Sequence, residues 1–561
     1  MPDGALAPLS TLTRRLFADS PQLELRRSHL ERAEFIDAAT LDAIAASEAW
    51  QQTAAFIRRM IAERIPVLLF GDYDVDGSTA AFLLFRWMRG CGASGNIFLP
   101  SRFRHGYGLD SGVIAQSVEQ GYRALIALDC GTANLAEIAE ARAAGLEVLV
   151  IDHHTPKDSL PDCTVFNPHL LETLPPLCTA GLVLLAIILL EEDPAALAGD
   201  ELELAGLATL ADIVPLVPEN WYLVHQALRL LPGTGNLGAQ ELLKISQLHG
   251  IDIFTARQLA FQVIPRMNAA GRMRSAKLIC DLLASPDREE ARRQALQLDL
   301  LNRERKEVTD DNYRQAARQA LGFDEAPALV LSDPDWHIGV LGIVAARIAE
   351  QFRRPAIVLS QSPQDSDLLT GSARSHGGLS LVDSLAGCTA ELESFGGHAA
   401  AAGVKLRRDA LEAFRSAWAD SVARIQAESA AAEQAEVSPH EDWSLLPELR
   451  ISEMSAVLED ELWLLAPFDT VLPAPRCRLS GVHVGRCSYL GRERSHLNLV
   501  LTDGQRQVRV AAFNMSHLQP RLQPGTSLQA VIELEPDNWN NQRSIMLRLI
   551  GLITENGSQV S

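Results

Sequence analysis

PVLLFGDYDVDGST, residues 66–79, is the stretch from which the rest of the chain can be read. Pro66 to Phe70 is a short apolar run. It is followed by three acids at every second position, Asp72, Asp74 and Asp76, then Gly77, and then a helical segment, Ala80–Arg89. Strand, turn-rich loop and helix in that order make half of a βαβ unit. Further runs of the same kind follow at Asn96–Leu99, Ala124–Leu128 and Glu147–Ile151, with helical segments between them. Alternation of this kind predicts an α/β fold with a parallel sheet. Ligands of such sheets bind outside the carboxyl ends of the strands.

Those ends carry the chemistry. Besides Asp72, Asp74 and Asp76, the run at 124–128 ends in Asp129-Cys130-Gly131, and the run at 147–151 ends in Asp152-His153-His154. A fourth acidic position, Asp212, follows an apolar helix in LATLADIVPL. Asp-Gly after a strand is ordinary turn chemistry at any one site. Acids at several neighbouring strand ends are a different matter, because packed together they repel and require cations or protons. Carboxylates with one or two imidazoles suit Mn²⁺ or Mg²⁺, and no cysteine set is available for Zn²⁺. Two ions sharing a bridging carboxylate would serve in-line attack at phosphorus.

Farther along, Ser285-Pro286-Asp287 reads as the start of a long charged helix, with Ser285 as cap and Pro286 in the first turn, running to Gly322. A helix of this length and polarity bridges domains. A second α/β unit follows: strand Ala328–Leu331, helix Gly339–Phe352, strand Ala356–Leu359. Residues 424–445 read as a polar linker, and the last 90 or so contain five β-like runs that suit a small barrel. Gly233-Thr-Gly235-Asn-Leu-Gly238 matches a dinucleotide fingerprint but follows a helical run, so the mechanism of that motif is missing.

Length and composition bound the answer. The 561 residues predict about three or four domains, and 47% apolar with 22% charged residues is a globular balance. No apolar run reaches the roughly 18–20 residues of a membrane span; the longest, Ala180 to Leu190, reads as a buried helix. The eight cysteines are scattered singly and the N-terminus has no apolar signal core, so a reducing cytoplasm is expected. The net charge of −21 argues against a nucleic-acid binder on average. Its distribution does not: residues 471–561 hold ten Arg and six acids, whereas 425–465 hold one Arg and ten acids.

The motifs GDYDVDG (71–77), LDCGT (128–132), IDHH (151–154) and ADIVPL (211–216) resemble, in this order, the four motifs of the DHH phosphoesterase superfamily. LPSRFRHGYGL (99–109), IPRMNAAGR (264–272), WHIGVLGIVAAR (336–347), GSARS (371–375) and FGGHAAAAG (395–403) are similar to the pattern of its RecJ branch of single-strand-specific 5′→3′ DNA exonucleases. Pattern and resemblance together, the resemblance covering about residues 60 to 550, divide the chain into an N-terminal helical region (1–60), a DHH catalytic domain (61–284), a connecting helix (285–322) and a DHH-associated α/β domain (323–423). An acidic linker (424–470) and an OB-like nucleic-acid-binding barrel (471–561) complete it.

By the same resemblance Asp74, Asp76, Asp129, His153 and Asp212 are metal ligands, Asp129 being the bridge and Asp72 a further candidate. His154 contacts the scissile phosphate or donates a proton. Ser372, Arg374, Arg102 and Arg272 form a pocket for a terminal phosphate. Arg266 and Asn268 either join it or hold their loop, and His398 contacts substrate. Arg492, Arg494, Arg506, Arg509, Arg543 and Trp539 of the barrel would hold a single strand. Two departures stand out. Relatives often carry P-F-G-x-G-N-P where this chain has Pro467-Phe-Asp-Thr-Val-Leu-Pro473, and often Ser where it has Ala346.

The activity so implied is two-metal hydrolysis of single-stranded DNA from its 5′ end to mononucleotides, in DNA repair and recombination. Single-stranded DNA is the expected partner, with a single-strand-binding protein and a RecQ-type helicase as protein partners. A cleft complete within one chain implies a monomer. The alternatives are a phosphodiesterase for short oligonucleotides or cyclic dinucleotides, and a non-catalytic DHH scaffold. The intact acid set argues against the scaffold.

Overall fold

A computed structural model describes residues 6–100, 108–157, 159–191, 199–433, 442–491, 494–539, 541–553 and 559–560. Three sheets organise them. The first is wholly parallel: β1 (Val67–Gly71), β2 (Gly95–Phe98), β3 (Ala124–Leu128), β4 (Glu147–Ile151) and β5 (Thr164–Phe166), in the order β2-β1-β3-β4-β5. Its central strands β1, β3 and β4 are buried on both faces. Leu69, Ile126 and Leu149 face one helical layer, while Leu68, Leu125 and Val148 face the other. The order reverses between β1 and β3, and in doubly wound sheets the crevice at such a switch is where ligands bind.

The helix after β1 begins at Val75, five residues before the sequence pattern predicts, and runs to Gly90. Asp74 caps it, its side chain accepting from the Gly77 N–H at 3.1 Å. The start of the long helix also differs from expectation. It spans Arg288–Ala320, about 50 Å, and its cap is Asp287, whose carboxylate accepts from Glu290 N–H, rather than Ser285. It ties the first sheet's helices to the second α/β unit. Arg266 Nε donates to its Asp299 at 2.9 Å, and Trp336 Nε1 donates to its Gln315 at 2.9 Å.

The second sheet is mixed: β6 (Leu329–Ser332), β7 (Ala356–Gln361), β8 (Leu368–Arg374), β9 (Ser394–Gly397) and β10 (Ala401–Arg407), ordered β6-β7-β8-β10-β9. The third holds β11 (Glu448–Leu449), β12 (Arg476–Leu490), β13 (His496–Thr502), β14 (Gln507–Ala512), β15 (Ser527–Trp539), β16 (Gln542–Ile553) and β17 (Gln559–Val560). β12-β13-β14-β16-β15 follow one another and β15 pairs back with β12, closing a five-stranded barrel. No helix among the described residues is long and apolar enough to cross a membrane.

The stretch 424–470, read from composition as a linker, is largely occupied by structure. A helix, Leu411–Glu433, runs through its start, and Ala456–Leu465 is a second helix with Leu458, Leu462, Trp463 and Leu465 buried. Its acids pair with the chain's own N-terminus. Glu461 accepts from the Ser10 amide and hydroxyl, both at 2.6 Å, and Glu453 accepts from Arg15 at 3.1 Å. Leu9, Leu16, Phe17 and Leu23 enter the barrel core, whereas Phe35 to Met60 pack on the first sheet's helices. The N-terminal helices therefore fasten the barrel to the catalytic side.

The centre of that fastening is Arg26. Its guanidinium is fully buried, donates to the Leu465 and Pro467 carbonyls at 2.7 Å each, and pairs with Asp469 at 3.4 Å. It also lies over the Trp221 ring at 5.2 Å. Asp469 stands at a position where the resemblance leads to the expectation of glycine. It accepts from the amides of Leu216 (2.7 Å), Val471 (3.1 Å) and Leu472 (3.2 Å), so a carboxylate organises a turn that glycines would otherwise permit. Breaking a buried pair on one side leaves the other charge unpaired, at a cost of about 3–5 kcal/mol. Arg26→Ala is therefore expected to destabilise the protein by about 3 kcal/mol in denaturant unfolding. An unchanged midpoint would remove Arg26 from this role.

Candidate metal centre

Strand register brings the acids to one level. β1 pairs with β3 so that Gly71 faces Leu128, and β3 pairs with β4 so that Leu128 faces Ile151. The next residues, Asp72, Asp129 and Asp152, continue the ladder: their amides donate to the carbonyls of Leu128, Ile151 and Phe166 at 3.1–3.2 Å. Asp129 takes a positive φ of 63°, a left-handed conformation that costs a non-glycine residue about 1–2 kcal/mol. Gly77 lets the helix start press onto Asp72, since a Cβ there would lie 2.5 Å from the Asp72 amide nitrogen.

Three groups of side chains each bring one ligand atom per residue within 4.8 Å of one another. They are Asp72 with Asp74 and Asp129, Asp76 with His153 and Asp212, and Asp129 with His153 and His154. Asp129 belongs to two of them. His153 Nε2 lies 3.3 Å from Asp129 Oδ1, 3.4 Å from Asp212 Oδ2 and 4.0 Å from Asp76 Oδ2. Nε2 of His153 and Oδ2 of Asp212 are nevertheless buried without a hydrogen bond. Polar atoms converging so closely yet unbonded are arranged for a common partner.

The electrostatics agree. Burial, then repulsion from Asp76, Asp74, Asp72 and Asp212, holds the Asp129 carboxyl well above the ordinary range. Burial, then Asp76 and Asp74, pushes Asp212 up to about 9. Burial also lowers His153, which keeps its imidazole neutral and able to coordinate. An oxygen-rich set with neutral imidazole fits Mn²⁺ or Mg²⁺. The nearby thiols do not compete, because Cys130 and Cys178 are buried and their ionisation is strongly suppressed.

The two histidines divide in role. His154 Nδ1 bonds to Asp152 Oδ1 at 2.7 Å, and Asp152 also accepts from the amides of His154 and Thr132, both at 3.1 Å. Asp152 is thereby drawn down to about 2, and the Asp152 contact, outweighing burial, raises His154 to about 9. His154 is thus oriented by Asp152 through its Nδ1.

Sequence reasoning missed the part played by four residues. Thr179 and Ala180, at the N-terminus of the helix Thr179–Leu190, donate their amides to the two oxygens of Asp76 at 2.7 and 2.8 Å, and the Thr179 hydroxyl donates to Asp129 at 3.1 Å. Asp152 is the orienting acid. Asn220, fully buried, donates to the carbonyls of Pro176 and Pro215, joining the approach to Thr179 with the loop after Asp212. The apolar helix at 180–190 gave a signal for its own burial and none for its capping of an acid 103 residues earlier.

The expected phosphate residues meet different fates. Arg102 lies outside the described residues, as does Arg492, and so does the side chain of Trp539. IPRMNAAGR is not a loop but a helix, Ile264–Met273, entered through a π-helical turn, Leu259–Val263. Arg266 is committed to Asp299 and to the Gln262 carbonyl, so its primary task is holding this helix. Asn268 is half-buried on the same helix. Gly271 packs on the Tyr73 carbonyl, where a Cβ would come to 2.2 Å, and Gly339 packs on the Arg272 carbonyl, where one would come to 1.9 Å. Arg272 Nη1 reaches the Gly339 carbonyl at 3.5 Å. Beyond Gly339, a Cβ at Gly342 would come within 2.7 Å of Arg374 and 3.1 Å of Ser372, which are themselves bonded at 2.7 Å. These glycines make one close-packed run from the acidic loop to the Ser372–Arg374 strand end. His398 is exposed and its amide donates to the carbonyl of Ala401, the residue opposite Arg374.

Repulsion among the acids predicts a trade-off. In EDTA, Asp212→Asn should melt higher than the parent by about 2 °C or more. It should also lose most of the stabilisation that Mn²⁺ confers on the parent. A lower melting point in EDTA with the Mn²⁺ gain intact would refute Asp212 as a member of a repulsive ligand set.

Comparison with known proteins agrees with this architecture. The chain matches the DHH family, N-terminal domain, over residues 66–211, the DHHA1 domain over 325–424, and the RecJ OB domain over 447–551. It is 30% identical over 554 residues to the single-stranded-DNA-specific exonuclease RecJ of Bacillus subtilis, covering 96% of this chain and 67% of that protein. It is 33% identical over 444 residues to the protein of the same name from Salmonella typhimurium, covering 73% and 76%. Among solved structures, RecJ of Thermus thermophilus in complex with Mn²⁺ superposes with a TM-score of 0.73 at 26% identity, covering 97% of this chain and 78% of that one. An exonuclease RecJ bound to manganese superposes with a TM-score of 0.59 at 32% identity, covering 67% and 95%. The chain belongs to the RecJ family of the DHH phosphoesterases.

Proposed function

We propose that the protein is a metal-dependent exonuclease that degrades single-stranded DNA from the 5′ end to 5′-mononucleotides, in DNA repair and recombination. The observation that carries the reading is the convergence of Asp76, Asp129, His153 and Asp212 at the switch point of the parallel sheet, within one chain that also carries a closed barrel. Asp72, Asp74, Asp76, Asp129, His153 and Asp212 would hold two ions, Mn²⁺ or Mg²⁺. Such ions, when bound, supply Lewis-acid polarisation of phosphoryl oxygen and activation of water.

The chain's own groups do the rest. The Thr179–Leu190 helix terminus holds Asp76 through two amides, which keeps that carboxylate aimed while its neighbours repel it. Asp152 aims the His154 ring at the same crevice, where it contacts the scissile phosphate. A terminal phosphate carries more charge and more acceptors than an internal one, so forked donors can prefer it. Ser372, Arg374 and Arg272 are assigned that task, with His398 near the same strand end. Arg266 and Asn268 are assigned support of the helix that carries Arg272. Single-strand-binding protein and a RecQ-type helicase are the proposed protein partners of a cytoplasmic monomer.

The test uses 3′-labelled single-stranded DNA bearing a 5′-phosphate. Stepwise shortening from the 5′ end in Mn²⁺, abolished by EDTA and reduced at least about a hundredfold in Asp129→Ala, is expected. Cleavage of dinucleotides alone would assign a small-substrate phosphodiesterase instead, and binding without cleavage in every metal would assign a scaffold. In Arg374→Ala the preference for a 5′-phosphate over a 5′-hydroxyl end should fall to about unity. A preference retained in full would take Arg374 out of the pocket.

A further inference from the structure

The N-terminus of the helix Thr179–Leu190 lies against the acidic crevice, and it is not capped from within. Cys178 stands at the cap position and makes no capping bond through its side chain. The first amides of a helix need acceptors. Here Thr179 and Ala180 find them in Oδ2 and Oδ1 of Asp76, at 2.7 and 2.8 Å. The same segment is tied to the helix that delivers Asp212. Cys178 Sγ lies 3.4 Å from the hydroxyl of Thr209, three residues before Asp212, and Asn220 joins Pro176 to Pro215.

The Thr179 side chain adds a bond that capping does not require. Its hydroxyl donates to Asp129 Oδ1 at 3.1 Å, the oxygen that also faces His153 Nε2 at 3.3 Å. Three other buried threonines return their hydroxyls to their own helices: Thr53 to the Ala49 carbonyl, Thr209 to Ala205 and Thr309 to Arg305. Thr179 is fully buried and sends its hydroxyl across to a ligand of the centre instead. Valine would fill the same space with no polar atom to satisfy, so packing does not account for the hydroxyl.

The two carboxylates held by this one residue belong to different groups. Asp76 goes with His153 and Asp212, and Asp129 goes with Asp72 and Asp74. They also repel each other: of the acids around Asp129, Asp76 acts on it most strongly. An N–H aimed at one and an O–H aimed at the other are charge-assisted bonds, the stronger kind, and they set positive dipole ends between the two acids. Backbone and side chain of a single residue at a helix end thereby fix the spacing of the two groups.

We propose that Thr179 is a positioning residue that sets the two ion positions relative to each other, its amide fixing a ligand of one and its hydroxyl fixing Asp129 of the other. That there are two such positions rests on the metal-dependent reading above. Groups that hold metal ligands in place typically govern affinity by roughly ten- to a hundredfold. Either group alone suffices for a first ion, whereas a second needs both groups at the right spacing. The Thr179 hydroxyl therefore acts on the second ion more than on the first.

Titration of the full chain with Mn²⁺, followed by calorimetry and by electron paramagnetic resonance, tests this apart from cleavage. The parent should take up two ions and develop the signal of an exchange-coupled pair. Thr179→Val keeps both amides and the side-chain shape. It should hold the first ion as the parent does, bind the second about tenfold more weakly and lose the coupled signal at matched concentration. Thr179→Ala, which deletes the same hydroxyl, should behave alike. Thr179→Ser keeps the hydroxyl and deletes the methyl, and should bind both ions as the parent does. Unchanged second-ion affinity and coupled signal in Thr179→Val and Thr179→Ala would overturn the proposal. An equal loss in Thr179→Ser would assign the effect to packing and overturn it as well. A parent that binds no Mn²⁺ would refute the metal-dependent reading itself.

Discussion

Carboxylates that repel one another are the constraint on which the rest of the structure depends. Asp129 is surrounded by Asp72, Asp74, Asp76 and Asp212, and among the described residues no arginine or lysine is paired with Asp74, Asp76, Asp129 or Asp212. The fold holds them by other means. Parallel register aligns Asp72 with Asp129, a left-handed backbone turns Asp129 inward, and a helix terminus grips Asp76. These devices cost stability locally, and large hydrophobic layers on both faces of the sheet offset that cost. Mutual repulsion among these carboxylates is the chemical basis for the centre's demand for divalent ions.

Cations shape the domain contacts. Arginines hold several junctions between elements. Arg266 pairs with Asp299 on the connecting helix, and Arg26 pairs with Asp469 where the N-terminal helices meet the barrel side. Asp469 also bonds the Leu216 amide, four residues beyond Asp212, and Asn220 bonds the adjoining Pro215 carbonyl. The loop that delivers Asp212 is thus pinned at its far end by a contact between remote parts of the chain. Glycines serve the opposite purpose. At Gly271 and Gly339 backbone meets backbone, and the second α/β unit is drawn up to the acidic loop.

Much of this was legible from local pattern. The β1, β3 and β4 strands are read correctly to within a residue, because buried parallel strands are short apolar runs ended by turn residues. The acids at their ends were legible for the same reason. Boundaries fared less well where a side chain caps a helix, as at Asp74 and Asp287, since the cap replaces the apolar pattern as the starting signal. Composition misled at 424–470. Acids that look solvated in one dimension are the partners of Ser10, Arg15 and Arg26 in three.

The sequence by itself determined which groups are available and where each strand ends: hard oxygen ligands, two adjacent histidines and a barrel enriched in arginine. Periodicity and turn chemistry act within a window of a few residues, so they survive translation from chain to fold. Tertiary structure alone decided which members of each type work together. Arg266 went to a helix and Arg374 to a strand end beside Gly342; Thr179 became a partner of Asp76; Phe261 was left exposed. Such assignments depend on how distant elements pack, and the free energy that selects them is that of burying whole faces, which no local stretch of sequence carries.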